Sequence, residues 1–351
     1  MNLMFEYDRI AEGNAFLSRH SDVRKMADFL QKKKNVSLYT AAKTGKQTLV
    51  HHVFETLKSA GYQYTPVTFD LFNICTTDGF YNLYAAKLVE LSAKLDKQSQ
   101  NPLNISVENL TRRDILDLPE EISKHYGVNS IVYFKEFHNL YNCERGEEFI
   151  EEIEVALRYH QNAVYIFTSP FINLMKLIFE EKRYFFGNVV NIIPRPISRA
   201  DMSEYIHRSF QRTGRVIEMD MAERIYDICS GHPWYTLQLA SICYSLTLGY
   251  INDQVFNRGV QVLLSMHEYR YRHIMSELTE NQINFIKAVV DGIQRFSSSE
   301  ILNAYHLNSS ANVFRLKDSF KKKELVTFEI DDRATVIDPL FKYWLKNHYF
   351  A

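Results

Sequence analysis

The sequence has few cysteines and no long apolar run. Its four cysteines are Cys75, Cys143, Cys229 and Cys243. They are far apart and form no CxxC pair, which argues against a zinc site and is typical of free thiols in a reducing compartment. No stretch of about 18 apolar residues is present, which argues against a transmembrane helix. The first residues, MNLMFEYDRIAEG, carry acids at Glu6 and Asp8 where a signal peptide would be basic and then apolar. These absences predict a cytoplasmic protein that does not associate with a membrane.

A large charge of either sign is also missing. The chain has 41 lysines and arginines against 42 acids, for a formal net charge of -1. The whole molecule therefore exerts no long-range attraction on nucleic acid or on an anionic membrane, although a local basic patch stays compatible with this balance. Its 351 residues exceed one ordinary domain and indicate two or three.

Strands and helices alternate along the first 196 residues. The predicted strands are Val36–Tyr39, Thr65–Phe72, Ser130–Phe134, Ala163–Phe167 and Val189–Ile193. Helices are predicted from the stripe that follows Lys46, from about Gly79 to Leu95, from Pro119 to Tyr126 and from Glu147 to Tyr159. A polar loop is predicted at residues 96–102. Alternation of this kind predicts a parallel sheet with helices on both faces, hence an α/β domain over residues 1–196.

Strand signals stop after Pro196. Arg199–Leu246 has the pattern of several helices, interrupted at Gly214 and at Gly231-His232-Pro233. Further along, three helical stretches at residues 280–291, 298–305 and 310–323 precede two short strands at residues 325–330 and 334–337. Three helices followed by a hairpin is the order of a winged helix. The sequence therefore predicts a helical lid over residues 197–275 and a winged-helix domain over residues 276–351.

A phosphate-binding loop is predicted between the first strand and the first helical stripe. The P-loop pattern is G-x-x-x-x-G-K-[ST], and here residues 40–47 are TAAKTGKQ. Gly45 and Lys46 match, whereas Thr40 replaces the first glycine and Gln47 replaces the hydroxyl that binds the metal. A helix N-terminus and a lysine together attract phosphate groups. The alternative is an ordinary strand-to-helix turn in which Gly45 supplies backbone freedom. The candidate nucleotide-binding residues are Thr40, Ala41, Ala42, Lys43, Thr44, Gly45, Lys46, Gln47 and Thr48.

Two further strand ends carry candidate site residues. In P-loop enzymes an apolar strand ends in an acid that supports Mg²⁺, and a glutamate that polarises water often follows. Here Lys135 stands at the first position and Glu136 at the second, so Glu136 is the candidate catalytic residue. Thr168-Ser169 could place a hydroxyl near a terminal phosphate, which makes Ser169 a candidate contact. A solvated strand end is the alternative at both places.

These segments together resemble the STAND-like, archaeal-type P-loop ATPases related to AAA+ proteins, along nearly the whole chain. Residues 16–19 resemble the segment before that family's first helix, Phe134-Lys135-Glu136-Phe137 its acidic strand end, and Phe185-Phe186-Gly187 its aromatic-glycine turn. Residues 231–235, GHPWY, resemble the G-x-P motif of its lid, which lies near the adenine, so the resemblance implies Pro233 as a nucleotide contact. Asp338-Pro339-Leu340-Phe341, with Trp344 and Leu345, resembles its closing D-P-x-F-x-x-W-L signature, and core packing is the alternative.

The departures from this family fall at the catalytic positions. Its Pro-Arg-Arg is Ala41-Ala42-Lys43 here, its loop threonine is Gln47 and its acidic aspartate is Lys135. The sequence therefore predicts a pseudo-ATPase, an ATP- or ADP-binding switch or adaptor with impaired or absent hydrolysis. Two alternatives stay open: a nucleotide-free scaffold that acts through protein or DNA interaction, and a working ATPase with unusual metal ligands.

Lys135 argues against a Mg²⁺ site. A unit charge ~4 Å from a divalent ion, at an effective dielectric of about 20, costs roughly twice 4 kcal/mol before screening. No metal ligand is therefore assigned. The same ammonium would be attracted to the phosphates together with Lys46 and Lys43, so Lys135 is a candidate nucleotide contact.

The predicted winged helix is the candidate surface for a partner. Its basic residues are Arg315, Lys317, Lys321, Lys322 and Lys323. They could contact DNA phosphates, as winged helices often do. However, the net charge is near zero, and Lys321–Lys323 run around the helix at an end where the dipole favours cations. An unidentified protein partner is therefore favoured over DNA.

Overall fold

The computed structural model of the chain describes residues 5–97, 99–103, 105–247, 249–329 and 331–351. Three predictions extend beyond these ranges: residues 1–4 of the N-terminal segment, Gln98 in the predicted loop, and Ile330 at the end of a predicted strand. The described residues form two compact units. The sheet unit comprises His20–Ala42 and Lys46–Pro194, and the helical unit comprises the residues up to Arg19, Lys43–Gly45 and Arg195–Ala351. The predicted three-domain boundaries stay a prediction.

The sheet unit contains a five-stranded sheet in which every pair of neighbouring strands is parallel. The strands are β1 (Asn35–Tyr39), β2 (Tyr64–Asp70), β3 (Asn129–Lys135), β4 (Ala163–Ser169) and β5 (Val189–Asn191), and their order is β2-β3-β4-β1-β5. β3 and β4 are buried along almost their whole length, as expected for central strands of a sheet covered on both faces. The predicted parallel sheet is confirmed.

Helices flank this sheet. They are α1 (His20–Gln31), α2 (Lys46–Ser59), α3 (Thr77–Asp96), α4 (Arg112–Tyr126), α5 (Gly146–Leu157) and α6 (Ile172–Lys176), the last continued by a π-helical turn at Leu177–Glu181. Stacked and tilted aromatic rings fill the core. Phe134 at its centre lies 5.4 Å from Phe69 and 5.8 Å from Phe167 between ring centroids.

Several predicted boundaries in this unit were wrong. β2 ends at Asp70 instead of Phe72, and α5 ends at Leu157 instead of Tyr159. α4 begins at Arg112, and Pro119 lies inside it. Thr111 caps the helix through a reciprocal pair of hydrogen bonds with Asp114. This start signal, eight residues before Pro119, overrides the proline, which costs the helix one backbone hydrogen bond. β4 continues through Thr168 to Ser169, and β5 ends at Asn191 instead of Ile193.

The helical unit contains eight helices among the described residues, with a short hairpin. The first four are α7 (Arg199–Gln211), α8 (Met219–Ile228), α9 (Pro233–Leu246) and α10 (Asp253–Ser276). Then follow α11 (Glu280–Val290), α12 (Ser299–Ala304), α13 (Ser310–Lys322), β6 (Val326–Phe328), β7 (Ala334–Val336) and α14 (Pro339–Trp344), which a π-helical turn at Leu345–Tyr349 extends. β6 and β7 are antiparallel. The predicted order of three helices and a hairpin is confirmed.

Candidate functional site

Lys46 closes the loop that joins β1 to α2. It is the first residue of α2, and its Nζ donates hydrogen bonds to the carbonyl oxygens of Thr40 at 2.7 Å and Ala41 at 2.8 Å. The ammonium therefore lies within the curve of the loop, at the helix end where the dipole is positive. Gln47 is exposed in the same first turn, and Thr48 is partly buried. This arrangement provides a full and a partial positive charge for an anionic group.

Residues Lys43–Gly45 of this loop belong to the helical unit. Gly45 has φ +91°, which a residue with a side chain rarely adopts, and an added Cβ would lie 3.3 Å from Arg19 Nη1. Arg19 is 7% exposed; its Nη1 donates to the Thr44 carbonyl oxygen at 2.6 Å, and its Nε donates to the Arg195 carbonyl oxygen at 2.9 Å. The second glycine of the P-loop pattern, Gly45, thus has a structural requirement of its own here.

Lys43 is engaged by residues of the helical unit. Its Nζ lies 3.0 Å from Asp8 Oδ1 and 5.5 Å from the centre of the Trp234 ring. Trp234 Nε1 donates to the same Asp8 oxygen at 2.9 Å. The pKa of Asp8 is below its usual value, first because of the hydrogen bond from Trp234 and also because of the Lys43 ammonium, which together outweigh partial burial. Asp8 was not singled out from the sequence as a site residue.

Glu136 and Lys135 lie where β3 ends. Lys135 is the last residue of β3 and is opposite Asp70 of β2. Glu136 follows with φ +56°, and its side chain is 26% exposed. Burial raises the pKa of Glu136, Asp70 raises it further, and the Lys46 and Lys135 ammonium groups oppose the rise. Lys46, Asp70 and Lys135 are therefore all within electrostatic reach of the candidate catalytic carboxyl group.

His138 joins this group, and the sequence analysis missed it. It lies in a short 3-10 helix, Phe137–Leu140, and its Nδ1 is 3.0 Å from Ser169 Oγ and 3.7 Å from Glu136 Oε2. Its ring stacks on Phe171 with 3.9 Å between centroids. Burial, together with the positive charge of Lys46, lowers the pKa of His138 to about 4, so the imidazole is neutral at pH 7. A lone histidine three residues after a strand gives no signal that would separate it from a core residue.

The two hydroxyl groups at the end of β4 have different partners. Ser169 Oγ accepts a hydrogen bond from the Phe171 N–H at 2.9 Å and faces His138. Thr168 is buried, and its Oγ1 donates to the Phe134 carbonyl oxygen at 3.2 Å, which ties β4 to β3. The sheet unit thus brings together Lys46, Glu136, His138 and Ser169, while Thr168 has a structural partner.

The predicted break at residues 231–233 is confirmed as a turn between two helices. α8 ends at Ile228, and Pro233 is the first residue of α9, where its missing N–H is not needed. Gly231 has φ +70°, and an added Cβ would lie 2.4 Å from the Tyr226 hydroxyl oxygen. A nucleotide contact at Pro233 stays a prediction.

Comparisons with known proteins agree with this architecture. Residues 269–347 match the family described as a probable winged helix domain. Over 98% of this chain and 99% of that one, a Walker-type ATPase of Pyrococcus abyssi is similar, with 16% identity and a TM-score of 0.72. The ORC2 protein of Aeropyrum pernix, solved as ADPNP and ADP complexes, shares 11% identity over 97% of this chain and 94% of that chain, with a TM-score of 0.62. The ORC1 protein of the same organism, solved with DNA, shares 12% identity over 99% and 96% of the two chains, with a TM-score of 0.53. No curated protein sequence matches this one significantly.

The chain has a P-loop NTPase fold. It combines the parallel five-stranded sheet and flanking helices of these structures with a C-terminal winged helix. At these sequence identities the similarity shows the fold, and the chemistry depends on the side chains at the site.

The side chains present fit a phosphate group better than a divalent cation. Lys46 at the start of α2 suits an anion. Magnesium prefers oxygen ligands, whereas the two positions that supply them in P-loop enzymes hold Gln47 and Lys135. Within the described ranges, no group of three or more His, Cys, Asp and Glu side chains is placed to hold a metal ion. In the same part of the chain, every helix is too short or too polar to cross a membrane.

Proposed function

We propose that this chain is a STAND-like P-loop protein that binds ATP or ADP without needing Mg²⁺ and hydrolyses ATP poorly or not at all. It would act in the cytoplasm as a nucleotide-dependent switch or adaptor for a protein partner. The observation that carries the proposal is the pair of lysines: Lys46 within its loop at the start of α2, and Lys135 where an acid would hold the metal.

Lys135 supports binding without metal through its charge. It ends β3 beside Glu136, and its effect on the Glu136 pKa places its ammonium within electrostatic reach of that carboxyl group. A second cation near a polyphosphate offsets negative charge that Mg²⁺ would otherwise neutralise, and it repels the ion itself. The nucleotide contacts Thr40, Ala41, Ala42, Lys43, Thr44, Gly45, Gln47, Thr48, Ser169 and Pro233 remain part of this proposal.

One observation favours retained hydrolysis as a second candidate function. Burial raises the pKa of Glu136, which makes its carboxylate a stronger base when it is ionised, and His138 lies 3.7 Å away. A half-buried carboxylate next to a neutral imidazole could orient a water molecule. Hydrolysis would then have to proceed with Lys135 in place of an acid at the metal position.

Calorimetry with ATP in EDTA, and then in excess Mg²⁺, tests the proposal. We expect binding in both buffers, and Lys46→Ala should weaken it about 10- to 100-fold because one charge-assisted contact is lost. Lys58→Ala, at the exposed far end of α2, is the matched control and should leave the affinity unchanged. Lys135→Asp should weaken binding in EDTA.

Three other results would contradict the proposal in different ways. Binding that requires Mg²⁺, or steady ATP turnover that Glu136→Gln abolishes, would indicate a working ATPase. Absence of binding in both buffers would indicate a scaffold without nucleotide.

A further inference from the structure

The N-terminal segment of the helical unit is anchored on both sides of Asp8. On one side the Phe5 side chain is fully buried, with its ring 5.6 Å from Phe210. On the other side the Ser18 hydroxyl donates to Asp201, and Arg19 donates to the Arg195 carbonyl oxygen. The segment between these anchors therefore holds Asp8 in a defined position on the unit.

Asp8 uses one carboxylate oxygen for two partners. Its Oδ1 accepts from Trp234 Nε1 at 2.9 Å and from Lys43 Nζ at 3.0 Å, while the Lys43 ammonium also lies over the Trp234 ring. Tyr7 packs edge-to-face against that ring at 6.1 Å. Two motifs singled out in the sequence, the loop lysine and the tryptophan after the G-x-P turn, thus meet at one acid of the N-terminal segment.

Lys43 lies three residues before Lys46 in the same loop, and the proposed function counts its ammonium among the phosphate contacts. In the structure the Asp8 carboxylate forms an ion pair with that ammonium. The Lys43 and Asp8 side chains are 54% and 58% exposed, and exposed ion pairs of this kind are weak. A polyphosphate, which carries several negative charges, can therefore compete with the single charge of Asp8.

We propose that Asp8 is an intramolecular competitor for nucleotide, a latch that holds Lys43 and Trp234 and that phosphate must displace. This inference rests on the proposed function, since it concerns regulation of the same loop. Displacement frees the Trp234 indole N–H and removes the cation from its ring. Nucleotide binding is thereby coupled to release of the N-terminal segment at residues 7 and 8.

The test measures ATP affinity in EDTA by calorimetry for the full chain and its Asp8→Asn variant. We expect Asp8→Asn to bind ATP about two- to fivefold more tightly, in keeping with the loss of a weak ion pair. Glu6→Gln is the matched control, because it removes the same charge two residues earlier from a side chain that pairs with Arg9. In a Lys43→Gln background, Asp8→Asn should no longer change the affinity.

Trp234 gives a second readout. The chain has two tryptophans, so the emission of Trp234 is obtained as the difference between the chain and its Trp234→Phe variant. We expect saturating ATP and Asp8→Asn to change that emission in the same direction, and ATP to add little in the Asp8→Asn variant. Binding seen only in Asp8→Asn would also support the latch.

Two results would overturn the proposal and can be told apart. Equal ATP affinity in the wild type and in Asp8→Asn removes the latch and leaves the proposed function standing. Absence of ATP binding in both removes the latch together with the proposed function.

Discussion

At the scale of single residues, His138 makes the stability of the sheet unit sensitive to pH. Burial first, and then the Lys46 charge, lower its pKa to about 4, whereas the unfolded chain titrates near the ordinary value of 6.5. Between pH 6.5 and 4, His138 is therefore protonated in the unfolded state and neutral in the folded state. The corresponding stability is complete above pH 6.5 and is lost as the pH falls from 6.5 to 4.

Urea unfolding at pH 7.5 and pH 5 measures this effect. We expect the wild type to lose about 2 kcal/mol more than His138→Gln over that interval, given ~1.4 kcal/mol for each unit of pKa difference. His348→Gln, a change at an exposed histidine of the helical unit, is the control and should follow the wild type. Equal losses in the wild type and in His138→Gln would show that His138 is not held neutral.

At the scale of elements, Asp338 fixes the start of α14. Its Oδ1 accepts from the N–H groups of Leu340 at 3.0 Å and Phe341 at 3.1 Å, and its Oδ2 accepts from the Tyr235 hydroxyl at 2.8 Å and from Arg270. One carboxylate thus caps a helix and joins α14 to α9 and α10. The D-P-x-F signature consequently has a structural role beyond its apolar positions.

Two substitutions separate these roles. Asp338→Ala removes the cap and the Arg270 partner, and should reduce the free energy of unfolding by about 2 kcal/mol. Asp338→Asn keeps an oxygen that can cap the helix, but its NH2 group cannot accept the hydrogen bonds from Tyr235 and Arg270. Its cost should therefore be about 1 kcal/mol, less than that of Asp338→Ala. Thermal and urea unfolding measure both variants. If Asp338→Ala and Asp338→Asn lose the same free energy of unfolding, the ion pair, and not the cap, dominates.

Local signals account for the elements that could be predicted from the sequence. The apolar strands, the glycine ends of helices and the Gly231-His232-Pro233 break all depend on neighbouring residues. The prediction that α4 starts at Pro119 was wrong, because the Thr111 cap begins the helix at Arg112. No separate helix was predicted over α10, the 24-residue helix that packs against α9.

Contacts between distant residues explain what the sequence could not predict in the candidate site. Lys46, Glu136 and Ser169 could be named because each lies at the start of a helix or at the end of a strand. His138 pairs with a residue 31 positions away, Arg19 with one 176 positions away and Asp8 with one 226 positions away. Such pairs follow from the packing of whole elements, and a single sequence carries no periodic signal for them.

At the scale of the whole molecule, the charges of the winged helix support the proposed protein partner over DNA. Lys317 pairs with Asp332 and lies over the Phe296 and Phe328 rings, and Lys322 pairs with Asp318 at 2.8 Å. At least two of the five basic residues named for DNA contacts are therefore paired with an acid. With a net charge of -1, the chain offers little attraction to a duplex.

Fluorescence anisotropy with a 30-base-pair duplex tests this conclusion at two salt concentrations. We expect binding no tighter than the non-specific range of about 10⁻⁴–10⁻⁶ M, with little difference between 50 and 200 mM salt, because few phosphate contacts would form. Arg315→Glu, on the exposed face of α13, should have no more effect than Arg258→Glu on the exposed face of α10. Tight binding that weakens about 10³-fold over this salt range, and that Arg315→Glu alone abolishes, would instead identify DNA as the partner.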